Sequence, residues 1–467
     1  MNPLHCIDFY KADHRRQYPE GTQYVYSNFT PRSSINGEKY VIWFGLQYVI
    51  KYFLIDAWNN EFFKKPKKKI IKAYKRRMDN ALGKNNIGTE HIEALHDLGY
   101  LPIRIKALPE GSLVGLKIPV FTIKNTLPEF FWLTNYLETA LSCLLWKMTT
   151  SATTAFQYKQ LLTKYAKLTN APLEFVNYQA HDFSFRGMSS IEDAAMSGAG
   201  HLTSFYGSDT VPAIDLLEKY YNADSDKETV GVSIPATEHS VMCAGEQSGE
   251  FNTFKRLITE VYPEGNLSIV SDTWDLWKVL DEYLPALKDN IVNRKGRLVI
   301  RPDSGDPVEI SVEVCNRLYN AFPGARGRMH DNLGVIYGDS ITLERCERIL
   351  ASLAFLGLTS DNMVFGVGSY TYQYKTRDNL GFAMKATWAR IRGEEVILSK
   401  DPVTDNGNKK SAKGLLKVEK QSYGYILHDQ CSEIDEKTGE LKVVFIDGEL
   451  KNETSLKEIR KRVEENL

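Results

Sequence analysis

The chain lacks an excess of charge of either sign. Its 467 residues carry 58 Lys and Arg against 59 Asp and Glu, which gives a formal net charge of -1. Without a global positive field the protein has no general attraction for nucleic acid or anionic membranes, so local basic groups must hold any phosphate ligand. The sequence therefore predicts neither a nucleic-acid partner nor a membrane partner.

Cysteine pairs at the spacing of a zinc site or a disulfide frame are also missing. The six cysteines, none of them in a CxxC pair, are Cys6, Cys143, Cys243, Cys315, Cys346 and Cys431. This pattern indicates reduced thiols and favours a cytoplasmic location. The first ten residues have no apolar core of a signal peptide. The most apolar stretch, 130–148, contains Glu138 and Lys147, which favours a core helix over a membrane span.

Length and pattern together predict an α/β protein with a second, mixed domain. Residues 1–170 read as the first part of a mixed α+β domain, with a strand over 22–29, a strand-to-helix region over 40–53, short strands within 101–123, and helices over 129–148 and 155–168. Residues 171–379 read as a barrel-like catalytic domain. Residues 380–467 return to short strands and turns, which predicts that they rejoin the mixed domain.

Seven short apolar runs in the middle of the chain alternate with amphipathic segments long enough for right-handed crossovers. The runs are 175–180, 201–205, 230–234, 267–271, 298–301, 334–337 and 363–366. An irregular parallel α/β barrel fits this alternation best. Because no eighth strand is evident, an open doubly wound sheet remains the alternative.

Polar groups and glycines follow several of these runs. The motifs are HDFSFRG at 181–187, RPDSG at 301–305, GDS at 338–340 and GVGS at 366–369. Side chains at the carboxyl ends of parallel strands build sites for phosphates and sugars. A carboxylate such as Asp303 can accept both hydroxyls of a ribose, although it can equally cap a helix beginning at Pro307. The sequence has no Walker lysine and no third glycine of a dinucleotide fingerprint, which disfavours P-loop and Rossmann folds.

Further residue types suit a phosphate site. Phe183 offers a ring that can stack on a heterocycle and Arg186 a guanidinium for phosphate, although an aromatic residue there is more often part of the core. Glu238-His239 suits a phosphorylated or proton-shuttling histidine, although a solvated loop histidine is the simpler interpretation.

Basic residues gather in two other parts of the chain. The basic run at 63–77 predicts a solvated surface helix. A second basic group, suited to a polyphosphate, comprises Arg377, Lys385, Lys400, Lys409, Lys410 and Lys413.

Taken together, these motifs resemble the nicotinamide phosphoribosyltransferase family of type II phosphoribosyltransferases. The ordered matches span nearly the whole chain and include DFYK at 8–11, QYP at 17–19, HDFSFRG, GSDT at 207–210, PATEHS at 235–240, VSD at 270–272, RPDSG, GD at 338–339, KTRD at 375–378 and KDPV at 400–403. The resemblance implies synthesis of nicotinamide mononucleotide and pyrophosphate from nicotinamide and phosphoribosyl pyrophosphate. It also implies Mg²⁺ held mainly through pyrophosphate, coupled ATP hydrolysis, and a homodimer with its sites at the interface.

The resemblance also assigns roles to residues. The base would stack between Phe183 and Tyr10 of the partner subunit, with its amide bound by Asp209 and Arg301. Ser233, Ser271, Asp275 and Arg186 would belong to the same pocket. The ribose and its 5′-phosphate would contact Asp303, Gly338, Asp339, Gly368 and Ser369. Pyrophosphate would bind Arg32, Arg377, Lys385, Lys400 and Lys409, the cations coming from the partner subunit. His239, supported by Glu238, would take a phosphate from ATP.

Four residues at three places depart from the family pattern. Phe185 stands where a tyrosine is common, Ser369-Tyr370 replaces glycines of the phosphate loop, and Ala383 replaces a serine.

Three rival functions stay open. One rival is the same reaction on nicotinic acid, whose carboxylate Asp209 would repel. A second is a catalytically inactive relative that binds nucleotides. A third is an unrelated barrel enzyme with Glu238 and Asp303 as acid and base.

Overall fold

A computed structural model describes residues 2–338, 340–399 and 412–467. The predicted site residues Asp339, Lys400 and Lys409, together with Lys410, lie outside the described residues. The strands in chain order are β1 Thr22–Thr30, β2 Tyr40–Ile42, β3 Ile103–Ala107, β4 Leu113–Gly115, β5 Phe121–Asn125, β6 Ala180–Asp182, β7 Leu267–Val270, β8 Leu298–Arg301, β9 Leu333–Tyr337, β10 Met363–Val367, β11 Ala383–Ile391, β12 Glu394–Ile397, β13 Leu415–Gln421, β14 Gly424–Cys431, β15 Lys442–Ile446 and β16 Glu449–Leu450.

The α-helices, several of them a single turn, connect and cover these strands. In chain order they are α1 His14–Gln17, α2 Leu46–Val49, α3 Lys67–Leu82, α4 Glu90–Leu98, α5 Leu133–Tyr136, α6 Glu138–Thr169, α7 Ile191–His201, α8 Val211–Tyr221, α9 His239–Cys243, α10 Glu250–Arg256, α11 Leu276–Lys278, α12 Leu284–Ala286, α13 Lys288–Val292, α14 Pro307–Ala321, α15 Leu343–Phe355, α16 Ser369–Tyr372, α17 Glu433–Glu436 and α18 Leu456–Glu464. Within the described ranges, no helix has both the length and the apolar character needed to cross a membrane.

The described residues divide into two compact units. The first unit draws on the ranges Met1–Thr153, Lys219–Ala223 and Thr376–Asn466. The second unit draws on Thr154–Glu218 and Asp224–Lys375. The sequence pattern put the corresponding boundaries at 170/171 and 379/380.

The first unit contains an antiparallel sheet built from both ends of the chain. Its strand order is β12-β11-β1-β5-β3-β15-β16. The strand predicted over 22–29 is confirmed as β1, in which Val25 and Phe29 are fully buried. In the register of β1 against β11, Thr30 lies opposite Ala383 and Asn28 opposite Lys385. The chain segment after residue 380 therefore shares one sheet with the N-terminal strands.

The second unit contains a parallel sheet with the strand order β6-β10-β9-β8-β7. Two further segments, 207–208 and 232–236, connect its edges. On the β6 side, parallel bridges join Asp182 to Ser208 and Gly207 to Val232, and on the β7 side a bridge joins Ala236 to Ser268. The strands therefore close into an irregular ring, which confirms the predicted α/β barrel-like fold. The apolar runs of β7 to β10 are almost wholly buried, as expected for parallel strands covered on both faces.

Two of the predicted strand positions were wrong, and a third, 230–234, contributes only an isolated bridge at Val232. The apolar run at 175–180 forms a 3-10 helix, Leu173–Tyr178, and the strand begins only at Ala180. Residues 201–205 form the end of α7 and a turn. The ring position predicted there is taken by 207–208 instead. Fully buried His201 helps to hold that segment, since its Nε2 lies 3.0 Å from the carbonyl oxygen of Gly207.

The two helices predicted over 129–148 and 155–168 are replaced by one long helix, α6, which follows a 3-10 turn at Pro128–Phe130 and the short α5. The residues between the two predicted helices, 149–154, are rich in hydroxyl side chains. In the structure, Thr150 donates to the Trp146 carbonyl at 2.6 Å and Thr153 to the Thr149 carbonyl at 2.7 Å. These bonds to the preceding turn let hydroxyl side chains stay inside a helix.

Candidate active site

The carboxyl ends of the ring strands bring most of the second unit's predicted residues to one cavity. This cavity has a volume of about 630 Å³. Its described lining residues are Phe183, Arg186, Asp209, Arg301, Asp303, Gly338, Ser340, Gly368, Ser369, Tyr370 and Tyr374. Parallel strands end on one side of a barrel, so motifs far apart in sequence meet there. A neighbouring cavity of about 490 Å³ shares Phe183, Asp209 and Arg301 and adds Ser233.

Asp209 is held as an ionised acceptor at the junction of the two cavities. Its Oδ1 lies 2.9 Å from His181 Nε2 and accepts a hydrogen bond from the Ser233 hydroxyl at 2.5 Å. Burial favours the neutral acid, but His181, Ser233 and the positive charge of Arg301 outweigh it, so the pKa of Asp209 falls below its usual value. The carboxylate can therefore accept a hydrogen bond from a ligand but cannot donate one.

The Arg301 guanidinium is fixed at the end of β8. Its Nη2 donates to the Thr237 carbonyl at 2.9 Å, and its Nε lies 3.5 Å from Asp303 Oδ2. The side chain is only 16% exposed, which limits its freedom to turn away from the cavity. Arg301 and Asp209 thus provide a donor and an acceptor beside the ring of Phe183.

Asp303 does not cap the following helix. Asp306 does so, with its Oδ1 accepting from the backbone N-H groups of Val308 and Glu309 at 2.9 Å. The alternative interpretation of Asp303 as the cap of a helix at Pro307 is therefore wrong. Its carboxylate lines the cavity instead.

Asp272, which follows β7 and has no role assigned from the sequence, supports the loop that carries Asp303. Its Oδ2 accepts from the backbone N-H groups of Asp303 at 2.9 Å and Ser304 at 2.8 Å, and from the Ser304 hydroxyl. Its Oδ1 lies 3.5 Å from Nε2 of the half-exposed His239, and the side chain is only 4% exposed. One buried carboxylate therefore links the RPDSG loop to the candidate phosphohistidine. Its position after a buried strand is the signal that could have identified it.

Glu238, the residue expected to support His239, makes a different contact. It precedes α9 as the N-cap residue and accepts a hydrogen bond from the Ser240 hydroxyl. The carboxylate near the His239 ring is the one from Asp272.

Two residues assigned to the pocket by resemblance make contacts elsewhere. The Ser271 hydroxyl is buried and donates to the Ile269 carbonyl at 2.8 Å. Asp275 caps α11, because its Oδ1 accepts from the Lys278 N-H at 3.1 Å. Neither Ser271 nor Asp275 is among the described residues that line the two cavities.

The backbone between β10 and α16 leaves open space for a ligand. A Cβ atom added at Gly368 would meet no heavy atom within 4 Å. Gly187, in contrast, has no room for a side chain, because a Cβ atom there would lie 2.1 Å from the Ser369 hydroxyl oxygen. The turn that carries Arg186 therefore packs directly against Ser369. The departure at Phe185 is an exposed side chain in that turn.

The first unit holds Tyr10 and the remaining described cations. Tyr10 lies in a 3-10 helix, Phe9–Asp13, and is 58% exposed. Arg32 donates from Nε to the Gly381 carbonyl at 3.0 Å, and Arg377 pairs with Asp378 at 3.0 Å. Burial, followed by the charge of Arg377, lowers the pKa of Arg32, which shows that these two cations lie near each other.

Comparisons with known proteins support the family resemblance that the sequence motifs indicate. The model of the nicotinate phosphoribosyltransferase family matches residues 178–449, and that of the nicotinamide phosphoribosyltransferase N-terminal domain matches residues 2–105. A nicotinamide phosphoribosyltransferase of Acinetobacter baylyi is 54% identical, over 100% of this chain and 98% of that protein. One from Mycoplasma pneumoniae is 35% identical, over 87% of this chain and 93% of that protein.

Solved structures resemble this chain in fold. Nicotinate-nucleotide pyrophosphorylase from Pyrococcus furiosus has a TM-score of 0.64 at 16% identity, covering 100% of this chain and 95% of that one. Human nicotinic acid phosphoribosyltransferase has a TM-score of 0.56 at 15% identity, covering 98% and 92%. At these identities the likeness establishes the fold alone.

Proposed function

We propose that this chain, which belongs to the nicotinamide phosphoribosyltransferase family, transfers the phosphoribosyl group of phosphoribosyl pyrophosphate to nicotinamide as a cytoplasmic enzyme of NAD salvage. The pyridine nitrogen forms a bond to ribose C1, and the bond from C1 to the pyrophosphate oxygen breaks. The observation that carries this proposal is the presence of the Asp209 carboxylate, the Arg301 guanidinium and the Phe183 ring in the lining of one cavity.

This pairing suits a carboxamide better than a carboxylate. The amide N-H₂ donates to Asp209 and the amide oxygen accepts from Arg301, while Phe183 stacks on the pyridine ring. Nicotinic acid would put a second negative charge against Asp209, whose lowered pKa keeps it ionised. The site therefore favours nicotinamide over nicotinic acid.

The other half of the cavity suits the sugar and its phosphates. Asp303, with Asp339, binds the ribose hydroxyls, and Gly338 lets the backbone approach. The open backbone at Gly368 and Ser369 receives the 5′-phosphate with help from Arg186. The Asp303 carboxylate also offers the oxygen chemistry that a Mg²⁺ ion carried by pyrophosphate prefers.

Pyrophosphate needs more positive charge than the described cavity provides. Its described cations are Arg186 and Arg301. We infer that the protein is a homodimer and that the partner subunit supplies the remaining positive charge. The cations are the partner's Arg32, Arg377, Lys385, Lys400 and Lys409, and the partner's Tyr10 stacks on the nicotinamide ring. The proximity of Arg377 to Arg32 supports this role, because an anion between two cations relieves their repulsion. Neutralising the leaving group stabilises a transition state in which ribose carries positive charge.

The experiment that tests this function measures pyrophosphate release from phosphoribosyl pyrophosphate. The rate of release should depend on a pyridine base as the second substrate, and it should saturate as the nicotinamide concentration rises. Asp303→Ala should reduce kcat/KM about 100- to 1,000-fold, because it removes a charge used in the transition state. Base-independent release, or full activity of Asp303→Ala, would contradict the assignment.

Gly338→Ala should lower kcat/KM about 100-fold by displacing Asp303. A Cβ at this position would stand 2.4 Å from Asp303 Oδ1. Gly249→Ala is the matched control, since its Cβ would meet nothing within 4 Å. Steady-state pyrophosphate release and thermal unfolding of both variants check this prediction. Wild-type kinetics in Gly338→Ala would contradict the close approach.

We also propose that His239 carries a phosphate received from ATP. Half exposure leaves the imidazole ring accessible to a nucleotide, and Asp272, whose Oδ1 lies 3.5 Å from Nε2, steadies positive charge on the ring. His239→Ala should abolish ATP hydrolysis and ATP stimulation but retain some ATP-independent synthesis. His428→Ala, a half-exposed histidine beside Glu419 in the first unit, should keep both. Full ATP stimulation of His239→Ala would exclude the phosphohistidine.

A further inference from the structure

The N-terminal segment of the first unit lies along α5 and the start of α6. The Tyr136 hydroxyl donates to the Leu4 carbonyl at 2.7 Å, and the Thr139 hydroxyl donates to Asp8 Oδ2 at 2.8 Å. Cys6 lies between these two attachment points in the sequence. The segment that carries its thiol is therefore held against the helix.

Cys143 lies on the same side of α6. It follows Thr139 by four residues, and side chains at this spacing share one face of a helix. Cys6 and Cys143 both line one cavity of about 690 Å³, together with Thr139 and Ala140. Both cysteines are thiols in the structure, with Cys143 exposed and Cys6 partly buried.

Cys143 is close enough to Cys6 to affect the ionisation of its thiol. Burial raises the pKa of the Cys6 thiol, the N-terminal positive charge offsets part of this rise, and Cys143 adds the smallest of the three effects by raising the pKa. The exposed Cys143 is therefore the thiol that a small reagent reaches first.

We propose that Cys6 and Cys143 form a redox-active thiol pair that closes to a disulfide in the presence of a low-molecular-weight disulfide. The Cys143 thiolate attacks the reagent, forms a mixed disulfide and releases one small thiol. The Cys6 thiolate then attacks the Cys143 sulfur and releases the second small thiol. Two protein thiols are oxidised and one reagent disulfide is reduced to two thiols, so atoms and electrons balance.

The inference does not depend on the proposed function, because the bond itself is the readout. The full-length protein is incubated with oxidised glutathione, its remaining thiols are alkylated, and it is digested with trypsin without reduction. The two tryptic peptides span residues 1–11 and 125–147. We expect them to be joined, with their summed mass reduced by two hydrogen atoms, in a chain that migrates as a monomer on non-reducing denaturing electrophoresis.

Two single variants test the order of the steps. Cys6→Ser should trap glutathione on Cys143, whereas Cys143→Ser should leave Cys6 much slower to react than Cys143 is in the wild type. Exposed Cys243 should take up glutathione without forming an internal bond. Separate glutathione adducts on Cys6 and Cys143 of the wild-type protein would overturn the proposal. So would a disulfide joining Cys143 of two chains, or two alkylated thiols after prolonged incubation.

Discussion

Asp303→Ala and Arg377→Ala, each nearly inactive alone, should regain about a quarter of wild-type activity when their subunits are mixed and exchanged. The proposed site combines the Asp303 cavity of one subunit with the Arg377 cation of its partner. Random exchange makes half of the dimers hybrid, and each hybrid holds one site without a lesion and one site with two. Pyrophosphate release before and after exchange measures the recovery.

The control for this experiment mixes two variants that damage the same side of the site. Asp303→Ala and Arg301→Ala both alter the second unit, where they line the same cavity. Their hybrids have no undamaged site and should stay inactive. If Asp303→Ala and Arg377→Ala show no recovery after exchange has been demonstrated, each site lies within one chain and the shared site is wrong.

Asp209→Ser should shift the choice of pyridine base toward nicotinic acid by about tenfold or more, because it removes a negative charge that would face the ligand carboxylate. In the proposed site the wild-type carboxylate is the acceptor for the carboxamide and would repel a ligand carboxylate. Serine removes the charge but keeps a hydroxyl that can donate or accept. The variant should therefore lose efficiency with nicotinamide and gain relative efficiency with nicotinic acid. The ratio of kcat/KM for the two bases is the measurement.

Asp275→Ser is the matched control for this substitution. Asp275 caps α11 through the Lys278 N-H, and serine can replace a capping aspartate at little cost. Its base preference should equal that of the wild type. An unchanged ratio in Asp209→Ser as well would indicate that this residue supports local structure and does not select the base.

The sequence predicts a site where apolar strands end in polar motifs, and the folded chain brings most of these motifs to one cavity. The runs before RPDSG and GVGS are strongly apolar because β8 and β10 are buried on both faces. β6 gave no such signal, since it is the three-residue sequence Ala180-His181-Asp182. The apolar residues just before it pack as a 3-10 helix, which a short apolar run does not distinguish from a strand.

The roles of individual carboxylates depended on contacts that a sequence does not display. Asp272 and Asp275 stand three residues apart after the same strand. Only the folded chain shows that Asp272 binds the Asp303 and Ser304 backbone while Asp275 caps a helix. The partner of His239 was likewise sought in adjacent Glu238, whereas the nearby carboxylate comes from the β7 end.

A competition assay decides whether this site transfers phosphoribosyl to a carboxamide. The protein is given limiting phosphoribosyl pyrophosphate with equal concentrations of nicotinamide and nicotinic acid, and the mononucleotides formed are identified by mass. The ratio of products reports the ratio of kcat/KM for the two bases. Nicotinamide mononucleotide should predominate by about tenfold or more, because ionised Asp209 repels the acid. Predominance of the nicotinic acid product, or no mononucleotide at all, would contradict the assignment of Asp209 and Arg301 as the amide site.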